Sequence, residues 1–519
     1  MDLQSLVSKL RGSPVTLFVS VSFTSLLLYL LTSYVRSPLR QYPGPALAKY
    51  TNLWRLYHTM QGSWHLVIDQ AHKKYGPVVR IGPNVLDVDY PSMLKTIFNV
   101  KAEWRKTESV SSSSVLIGGK VVFNIFSELD PAVHAQTKKP IAKFYSAGAV
   151  PALEPHMDKT INLLCSELEK RFMGGGSSAG KAVDLGEWIS YYTWDVIGAI
   201  TFSQPYGYLS KGTDFDGTIA GAESMLAYFS LCFSIPALDY FLSKNPIYQL
   251  GPAPFESLTG TTVQRLVARL QGLDKDHHDA SQPDYLDKFI EVKAEDPANV
   301  TDGHIIAWLM INTLAGADTT AVATRSALYY SLKNPSIWSR LQNELSSAGL
   351  TSSHCPVAYK AVRGLPYLDG IVREALRILP GVSLGLERYV PPGGHNLPDG
   401  FVPENAILSF NPYVICRNKG SFGDDADEFK PERWLKRKDE TEEGYAARLL
   451  VMNNADLSFG GGSRSCVGKH LGLTQVYKVV ATLALMYDIE LTNPEREWVV
   501  KDYWFPVQKG LVVDIKKRV

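Results

Sequence analysis

The sequence predicts a mainly α-helical fold with a small β-sheet portion (α+β), arranged as one large domain behind an N-terminal membrane helix. Three observations lead to this prediction. They are an uncharged apolar run of roughly 22 residues near the N-terminus, a helical pattern from Thr301 to Lys333, and a hairpin pattern in "GPVVRIGPNVLDVDY". The body carries no internal repeat and no long Gly/Ser or Pro linker. A single domain spanning residues 46–519 is therefore predicted.

The composition of the chain excludes several classes of protein. With 45% hydrophobic and 20% charged residues, the 519-residue chain is of ordinary globular type. A net charge of +1 gives no indication of a nucleic-acid partner. The five cysteines are scattered and form no CxxC pair, so neither a disulfide framework nor a zinc ribbon is predicted, and a reducing compartment fits. His277, His278 and Asp279 suggest a metal site, but a solvated loop is preferred because no supporting cluster is evident.

The N-terminal residues 1–36 are predicted to form a membrane anchor that spans the bilayer over about residues 14–35. An uncharged run of this length crosses a bilayer as a helix. The alternative is a buried core helix, but hydrophobicity on all sides and a terminal position favour the anchor. A cleaved signal peptide has a shorter apolar region. Basic residues both precede and follow the span, so they indicate no clear orientation.

Residues 37–45 follow the anchor and are rich in proline. Pro43 and Pro45 flank Gly44. Proline fixes one backbone angle and removes a hydrogen-bond donor. A stiff hinge between the anchor and the body is therefore predicted.

The central helix pattern begins at Thr301 and ends before Asn334-Pro335, where helices commonly stop. Its middle contains "AGADTT", Ala315 to Thr320, and all of Gly, Asp and Thr weaken a helix interior. One interpretation is a helix boundary, with Asp318 or Thr319 capping a second helix. The other is a local opening lined by an acid and an alcohol, suited to relaying protons to a buried reactant.

The segment "FGGGSRSCVG", Phe459 to Gly468, places one thiol just before a helical pattern. A thiolate is stabilised by the N–H groups and dipole of a helix N-terminus, and glycine lets a backbone approach a ligand closely. The spacing does not match a phosphate-binding loop. A nucleophilic cysteine paired with His470 would leave the three glycines and Arg464 without a role. A purely structural glycine loop is the remaining alternative.

Taken together, these segments resemble the cytochrome P-450 superfamily of haem-thiolate monooxygenases. The superfamily's oxygen-activating motif is matched by "AGADTT", its ExxR helix by "REALR" and its PERF-like segment by "FKPERW", in the same order and from Pro43 almost to Val519. Its cysteine signature, FxxGxRxCxG, is matched in full by Phe459, Gly462, Arg464, Cys466 and Gly468. The segments "YPGPALAKYTNLWRLY" and "IPALDYFLSKNP" are similar to a fungal branch typified by pisatin demethylase.

The resemblance implies a cytochrome P-450 fold that holds haem b, with Cys466 as the axial ligand of the iron. It implies propionate contacts from Arg464, Arg388, His134 and Lys138. Members of the superfamily usually carry arginine where Lys138 stands. For His134 and Lys138, which are four residues apart on one helix face, the alternative is a solvated surface.

Further roles follow from the same resemblance. Glu374, Arg377 and Arg433 are expected to form a buried ion-pair triad with a folding role. Thr319 is expected to hold a water near the reacting oxygen, and Asp318 to connect that water to solvent. The substrate pocket is expected to be lined by apolar side chains, namely Ala307, Ile311, Leu314, Ala315, Val382, Leu384 and Phe505.

The implied activity is the insertion of oxygen from O2 into a hydrophobic small molecule, of the kind tailored in fungal terpenoid, alkaloid or polyketide metabolism. The chain has no strand-GxGxxG-helix unit, so electrons are expected from a separate NADPH-dependent diflavin reductase, with cytochrome b5 as a second donor. The reductase is expected to dock on a basic face formed by Lys138, Lys139, Lys143 and Lys469. The expected location is the endoplasmic reticulum membrane, single-pass, with the body in the cytosol. The alternatives are a haem-thiolate isomerase or dehydratase that needs no reductase, and a non-catalytic haem-binding protein.

Overall fold

The structure, a computed structural model, describes residues 14–101, 103–117, 119–173, 180–252 and 255–518. It is mainly helical with small sheets, which confirms the predicted fold class. The α-helices are α1 (Pro14–Arg36), α2 (Leu53–Met60), α3 (Trp64–Tyr75), α4 (Leu94–Ile97), α5 (Pro131–Ala142), α6 (Glu154–Leu168), α7 (Leu185–Phe202), α8 (Tyr208–Lys211), α9 (Thr218–Ser234), α10 (Ala237–Phe241), α11 (Glu256–Leu270), α12 (Tyr285–Glu295), α13 (Asp302–Lys333), α14 (Pro335–Ser347), α15 (Tyr359–Val362), α16 (Pro366–Ile378), α17 (Pro412–Ile415), α18 (Lys419–Phe422), α19 (Glu442–Ala455) and α20 (Lys469–Met486).

The β-strands are short and lie in several small sheets. They are β1 (Val78–Gly82), β2 (Val85–Val88), β3 (Val115–Ile117), β4 (Lys120–Val122), β5 (Val183–Asp184), β6 (Arg388–Tyr389), β7 (His395–Leu397), β8 (Gly400–Val402), β9 (Ile407–Ser409), β10 (Tyr487–Leu491), β11 (Val499–Asp502), β12 (Pro506–Lys509) and β13 (Val512–Lys517). One sheet has the order β1-β2-β9-β6 and another the order β10-β13-β5, while β3–β4, β7–β8 and β11–β12 form separate pairs. Because β1 and β2 pair antiparallel, the predicted hairpin is confirmed.

Helix α13 runs through the core of the body as the sequence predicts. Thr301 is its N-cap, and the side chain of His304 reaches back to the Thr301 backbone. Its 32 residues pass through "AGADTT" without a break, so the helix-boundary interpretation is wrong. A Cβ on Gly316 would lie 2.6 Å from Ile197 Cδ1. Glycine at this position therefore lets α7 pack closely against the middle of α13.

Within the described ranges, two helices are long and apolar enough to cross a membrane, at Thr16–Arg36 and at Asp302–Lys333. In the first, no part of the apolar window is buried in the protein, whereas 56% of the second is buried. The second is therefore the core helix of the body. The first is not packed as a core helix, so the buried-helix interpretation of the N-terminal run is wrong.

The predicted hinge, residues 37–45, lies against the body of the protein. Leu39 and Tyr42 are buried, and the Arg80 backbone N–H donates to the Pro43 carbonyl over 2.7 Å. A Cβ on Gly44 would lie 2.2 Å from the Arg80 carbonyl oxygen, so only glycine permits this approach. These contacts hold residues 37–45 against β1 of the sheet β1-β2-β9-β6.

Candidate active site

The cysteine loop folds back on itself between α19 and α20. The Cys466 N–H donates to the Phe459 carbonyl over 2.9 Å, which closes the loop. Gly468 is the N-cap of α20, which begins at Lys469, three residues after Cys466. The thiol is therefore placed beside the free N–H groups at the helix start, as the sequence predicts.

Two glycines of the loop adopt the left-handed backbone conformation. Gly460 has φ +66° and Gly462 has φ +60°. A Cβ on Gly462 would lie 2.3 Å from the Phe98 carbonyl oxygen. The glycine of the signature is thus required by packing against the chain near Phe98. Packing thus gives Gly462 a reason that the sequence-based expectation, in which the loop glycines approach the cofactor, did not include.

Opposing effects act on the Cys466 thiol. Burial raises its pKa, whereas the backbone N–H groups of Gly468 and Lys469 and the ammonium groups of Lys138 and Lys469 lower it. All five cysteines lie in the described residues and carry free thiols, and Cys466 is the exposed residue of the five. Its side chain is exposed to an internal cavity. A bound metal cation deprotonates a coordinating thiol, so this thiol suits a metal ligand.

This cavity has a volume of about 330 Å³ and receives Cys466 from the loop together with Asp318 and Thr319 from α13. Phe459 and Gly468 also line it, whereas Gly462 faces Phe98 instead. The cavity therefore brings the two main predicted motifs to one place.

Five basic side chains converge on the same cavity. They are Lys106, His134, Lys138, Arg388 and Arg464. Among the described residues, none of the five forms a salt bridge with a carboxylate. Lys138 donates to the Ser463 and Ser465 carbonyls over 3.1 and 3.2 Å, and Arg464 donates to the Glu128 and Leu129 carbonyls over 2.6 and 3.2 Å.

Burial in this arrangement disfavours the charged forms of the basic groups and so lowers their pKa values. Burial, and next the charge of Arg464, lowers the pKa of His134 to about 3 and that of Arg388 to about 9. Burial likewise lowers the pKa of Lys106 well below its ordinary value. Buried cations without anionic partners are unfavourable. The cavity is therefore suited to an anionic ligand.

Asp318 and Thr319 occupy adjacent positions on the cavity wall. The Thr319 hydroxyl donates to the Ala315 carbonyl over 2.7 Å. Asp318 Oδ1 accepts from Trp194 Nε1 over 3.1 Å. Burial raises the pKa of Asp318 to about 6, although the Trp194 hydrogen bond and Arg325 act in the opposite direction. The acid can therefore exchange a proton near neutral pH.

Six of the seven expected pocket residues line the cavity, namely Ile311, Leu314, Ala315, Val382, Leu384 and Phe505. Ala307 does not. It lies one helical turn before Ile311, about 6 Å nearer the N-terminus of α13. Helical spacing gave the correct face but not the point at which the cavity ends.

Glu374, Arg377 and Arg433 lie together in the interior, with exposures of 0, 2 and 5%. Arg377 binds both carboxylate oxygens of Glu374, over 2.9 and 2.7 Å, and Arg433 Nε lies 3.2 Å from Oε1. Trp434 Nε1 adds a hydrogen bond of 2.8 Å. The carboxylate is thus fully satisfied by neighbouring donors.

Three residues of the site were missed at the level of sequence. Lys106 joins the basic group, Trp194 contacts Asp318, and Trp504 lines the cavity next to the expected Phe505. Lys106 and Trp194 belong to no motif; long-range packing brings Lys106 to the cavity and Trp194 to Asp318 behind its wall. The run "YWFP" around Phe505 was the available signal for Trp504.

One residue of the histidine-rich segment, His278, differs from expectation. His278 lies near Asp284 and Asp287, with candidate ligand atoms within 4.8 Å of one another. However, Arg269 bonds to both carboxylates, over 2.9 Å to Asp284 and 2.5 Å to Asp287. The cluster is therefore an ion-pair network that includes His278, whereas His277 and Asp279 are exposed, as expected for a solvated loop.

Comparison with known proteins agrees with the motifs. The chain matches the cytochrome P450 family over residues 43–508. It is 42% identical to the cytochrome P450 monooxygenase cfoH of Aspergillus candidus over 513 residues, which cover 99% of this chain and 94% of the relative. It is 33% identical to cicH of Emericella nidulans over 487 residues (93% and 95% of the two chains) and 33% identical to pkfB of the same species over 481 residues (92% and 91%).

Membership of the family implies haem iron, and the cavity fits this cofactor. It offers one thiol as a metal ligand and a set of basic groups without anions. The remaining wall is largely apolar. The chain therefore belongs to the cytochrome P450 family, as a haem-thiolate monooxygenase.

Proposed function

We propose that this protein is a membrane-anchored monooxygenase that takes electrons from an NADPH-dependent reductase and oxidises a hydrophobic, ring-containing small molecule. The observation that carries the proposal is the presence of Cys466, Asp318 and Thr319 on the wall of one cavity. Fungal relatives named as monooxygenases support it, and fungal secondary metabolism is the proposed source of the substrate.

Cys466 would bind the iron of haem b, and the five basic groups would hold its propionates. When bound, a thiolate-ligated haem supplies the activation of O2 and the cleavage of its O–O bond. Phe459 and Gly468 would border the cofactor. The triad of Glu374, Arg377 and Arg433 would act as scaffold, because its charges are satisfied within the protein.

Asp318 and Thr319 would transfer protons from solvent to a water molecule in the cavity. The Thr319 hydroxyl gives its hydrogen to the Ala315 carbonyl, so its oxygen is left as an acceptor for a water molecule. Asp318, whose pKa is raised to about 6, can pass a proton to that water and regain one from solvent. This pair favours oxygen chemistry over a haem isomerase or dehydratase, for which a proton relay of this kind has no use.

The pocket for the substrate is apolar and rich in aromatic rings. Trp504 lies 5.5 Å from Phe126, 6.2 Å from Phe229 and 5.7 Å from Phe233 between ring centres. All four rings line the cavity. Edge-to-face contacts of this kind favour a further ring as ligand. A terpenoid, alkaloid or polyketide with at least one ring would fit these walls.

Electrons would arrive from a diflavin reductase, with cytochrome b5 as a second donor. Lys139 and Lys469 are exposed near the cysteine loop, and Lys143 is exposed but lies 3.6 Å from Glu295. Lys138, in contrast, is bonded to carbonyls of the loop. The proposed docking face therefore contains fewer free lysines than the four expected from the sequence.

The anchor is proposed to be α1, in the endoplasmic reticulum membrane with the body in the cytosol. A second apolar surface supports seating on the bilayer. On α2, Leu53, Tyr57 and Met60 are 52–60% exposed, and in the segment after α10 Ile247 and Tyr248 are 94 and 71% exposed. The two parts are linked through α9, since α2 packs on α9 and the chain continues from α9 through α10 to Ile247. Such exposed patches mark membrane or protein contacts.

The test is a carbon monoxide difference spectrum of the reduced protein, followed by NADPH consumption with and without added reductase. We expect the strongly red-shifted Soret band of a thiolate-ligated haem, its loss in Cys466→His, and substrate-stimulated, reductase-dependent NADPH oxidation. Turnover that needs no reductase would favour the isomerase or dehydratase. A normal spectrum without turnover on any ring-containing hydrophobic compound would favour a non-catalytic haem-binding protein.

A further inference from the structure

Trp194 makes the direct contact to the acid of the proposed proton relay. It lies on α7, is 0% exposed, and its Nε1 donates to Asp318 Oδ1 over 3.1 Å. The indole is held by neighbouring rings, with centres 6.1 Å from Tyr206 and 6.4 Å from Tyr208. Its position is therefore determined by packing and does not depend on the acid.

The charged groups that face Asp318 are engaged elsewhere. Arg325, on the same helix, donates to the Gly186 carbonyl over 2.8 Å and to the Ser190 hydroxyl. Glu223 of α9 and Lys509 of β12 pair with each other over 2.9 Å. Among the described residues, the indole N–H is thus the direct hydrogen-bond partner of the carboxyl group.

A neutral donor and a cation would act differently on this acid. A salt bridge would hold the carboxylate ionised and remove its ability to take up a proton. The indole instead fixes one oxygen and leaves the charge unneutralised, while Oδ2 has no hydrogen-bond partner within the described chain. The raised pKa of the acid, to about 6, agrees with this arrangement.

We propose that Trp194 is a positioning residue of the proton relay, which holds Asp318 Oδ1 so that Oδ2 exchanges protons with the cavity. This inference rests on the proposed function of Asp318. Trp194 itself does not touch the cavity or its ligands, so it acts through the acid alone.

The test compares Trp194→Phe with a matched control, Trp308→Phe, in the haem-loaded full chain. Trp308 is 1% exposed, lies on α13, and its Nε1 is buried without an acceptor. The control therefore removes the same atoms from an equally buried site without breaking a hydrogen bond. A purely structural role predicts similar effects of the two changes.

The first readout is the infrared stretching frequency of carbon monoxide bound to the reduced protein, followed against pH. It senses charge in the cavity and requires no turnover. We expect a titration near the pKa of the acid that is absent in Asp318→Asn. In Trp194→Phe its midpoint should move up by about one pH unit, because a hydrogen bond to the charged form is lost. In Trp308→Phe it should not move.

The second readout is product formed per NADPH consumed. Trp194→Phe should lower this ratio several-fold with an unchanged substrate dissociation constant, and it should add nothing in an Asp318→Asn background. If Trp194→Phe matches Trp308→Phe in both readouts, the inference is wrong. If Asp318→Asn itself leaves the ratio unchanged in a protein with a normal haem spectrum, the relay fails and the inference with it. Absence of thiolate-ligated haem would instead overturn the proposed function.

Discussion

Replacing Glu374 by glutamine should destabilise the body more than any exposed carboxylate change of the same size. Five donors reach the Glu374 carboxylate: Arg377 through two nitrogens, Arg433, Trp434, and the Lys430 backbone N–H. Glutamine keeps one acceptor and turns a donor toward the others, which leaves the buried Arg377 guanidinium without an anion and Arg433 with Asp425 alone. Breaking a buried pair in this way costs about 3–5 kcal/mol.

The assay is thermal melting followed by circular dichroism at one scan rate. For a body of roughly 475 residues, an unfolding entropy of about 2.1 cal/mol/K per residue makes 1 kcal/mol equal to about 1 °C. The expected drop is therefore about 3–5 °C, together with reduced haem content. The control is Glu432→Gln, which breaks an exposed pair with Arg340 and should cost no more than about 1 kcal/mol. A drop no larger than the control's would refute the reasoning.

Three other changes test separate parts of the structure. Gly462→Ala should lower thermal stability and haem content more than Gly460→Ala, because both have positive φ but only the former would bring a Cβ to 2.3 Å from Phe98 O. The Asp502 carboxyl group is buried with His65 Nδ1 3.7 Å away, and burial raises its pKa to about 8 although the Trp504 backbone N–H acts in the opposite direction. The neutral form of this carboxyl group is thus favoured in the folded state, so the protein loses stability as the pH rises from about 4 toward 8. Asp502→Asn should have a higher melting temperature than the parent at pH 8, and the difference should vanish by pH 4. Trp504→Leu should weaken binding of naphthalene about threefold to tenfold while leaving decahydronaphthalene little changed, as measured by calorimetry.

Features written in consecutive residues could be predicted from the sequence, because their physical causes are local. Proline and glycine mark the turn between β1 and β2, and Thr301 marks the start of α13. The cysteine loop carries its own signature. In each case the residues that determine the structure lie within a few positions of one another.

Features that depend on packing could not be predicted in the same way. Lys106 reaches the cavity from a segment that is separated in sequence from the other basic residues. Trp194 contacts Asp318 across 124 positions of sequence. Ala307 shows the related limit of a periodic pattern. Such a pattern identifies the buried face of a helix, but the length of the cavity along that face is set by the elements packed around it.

The triad and the cavity differ in how their charges are balanced, and this difference links folding to the cofactor. Glu374, Arg377 and Arg433 satisfy one another and nearby carbonyls, so this part of the scaffold is complete within the chain. The five basic groups of the cavity have no carboxylate partner among the described residues, and burial disfavours their charged forms. A dianionic cofactor that binds only the folded state would offset this cost and stabilise the fold by mass action. Cofactor binding should therefore stabilise the cavity walls more than the triad, since only the walls lack their counter-charge.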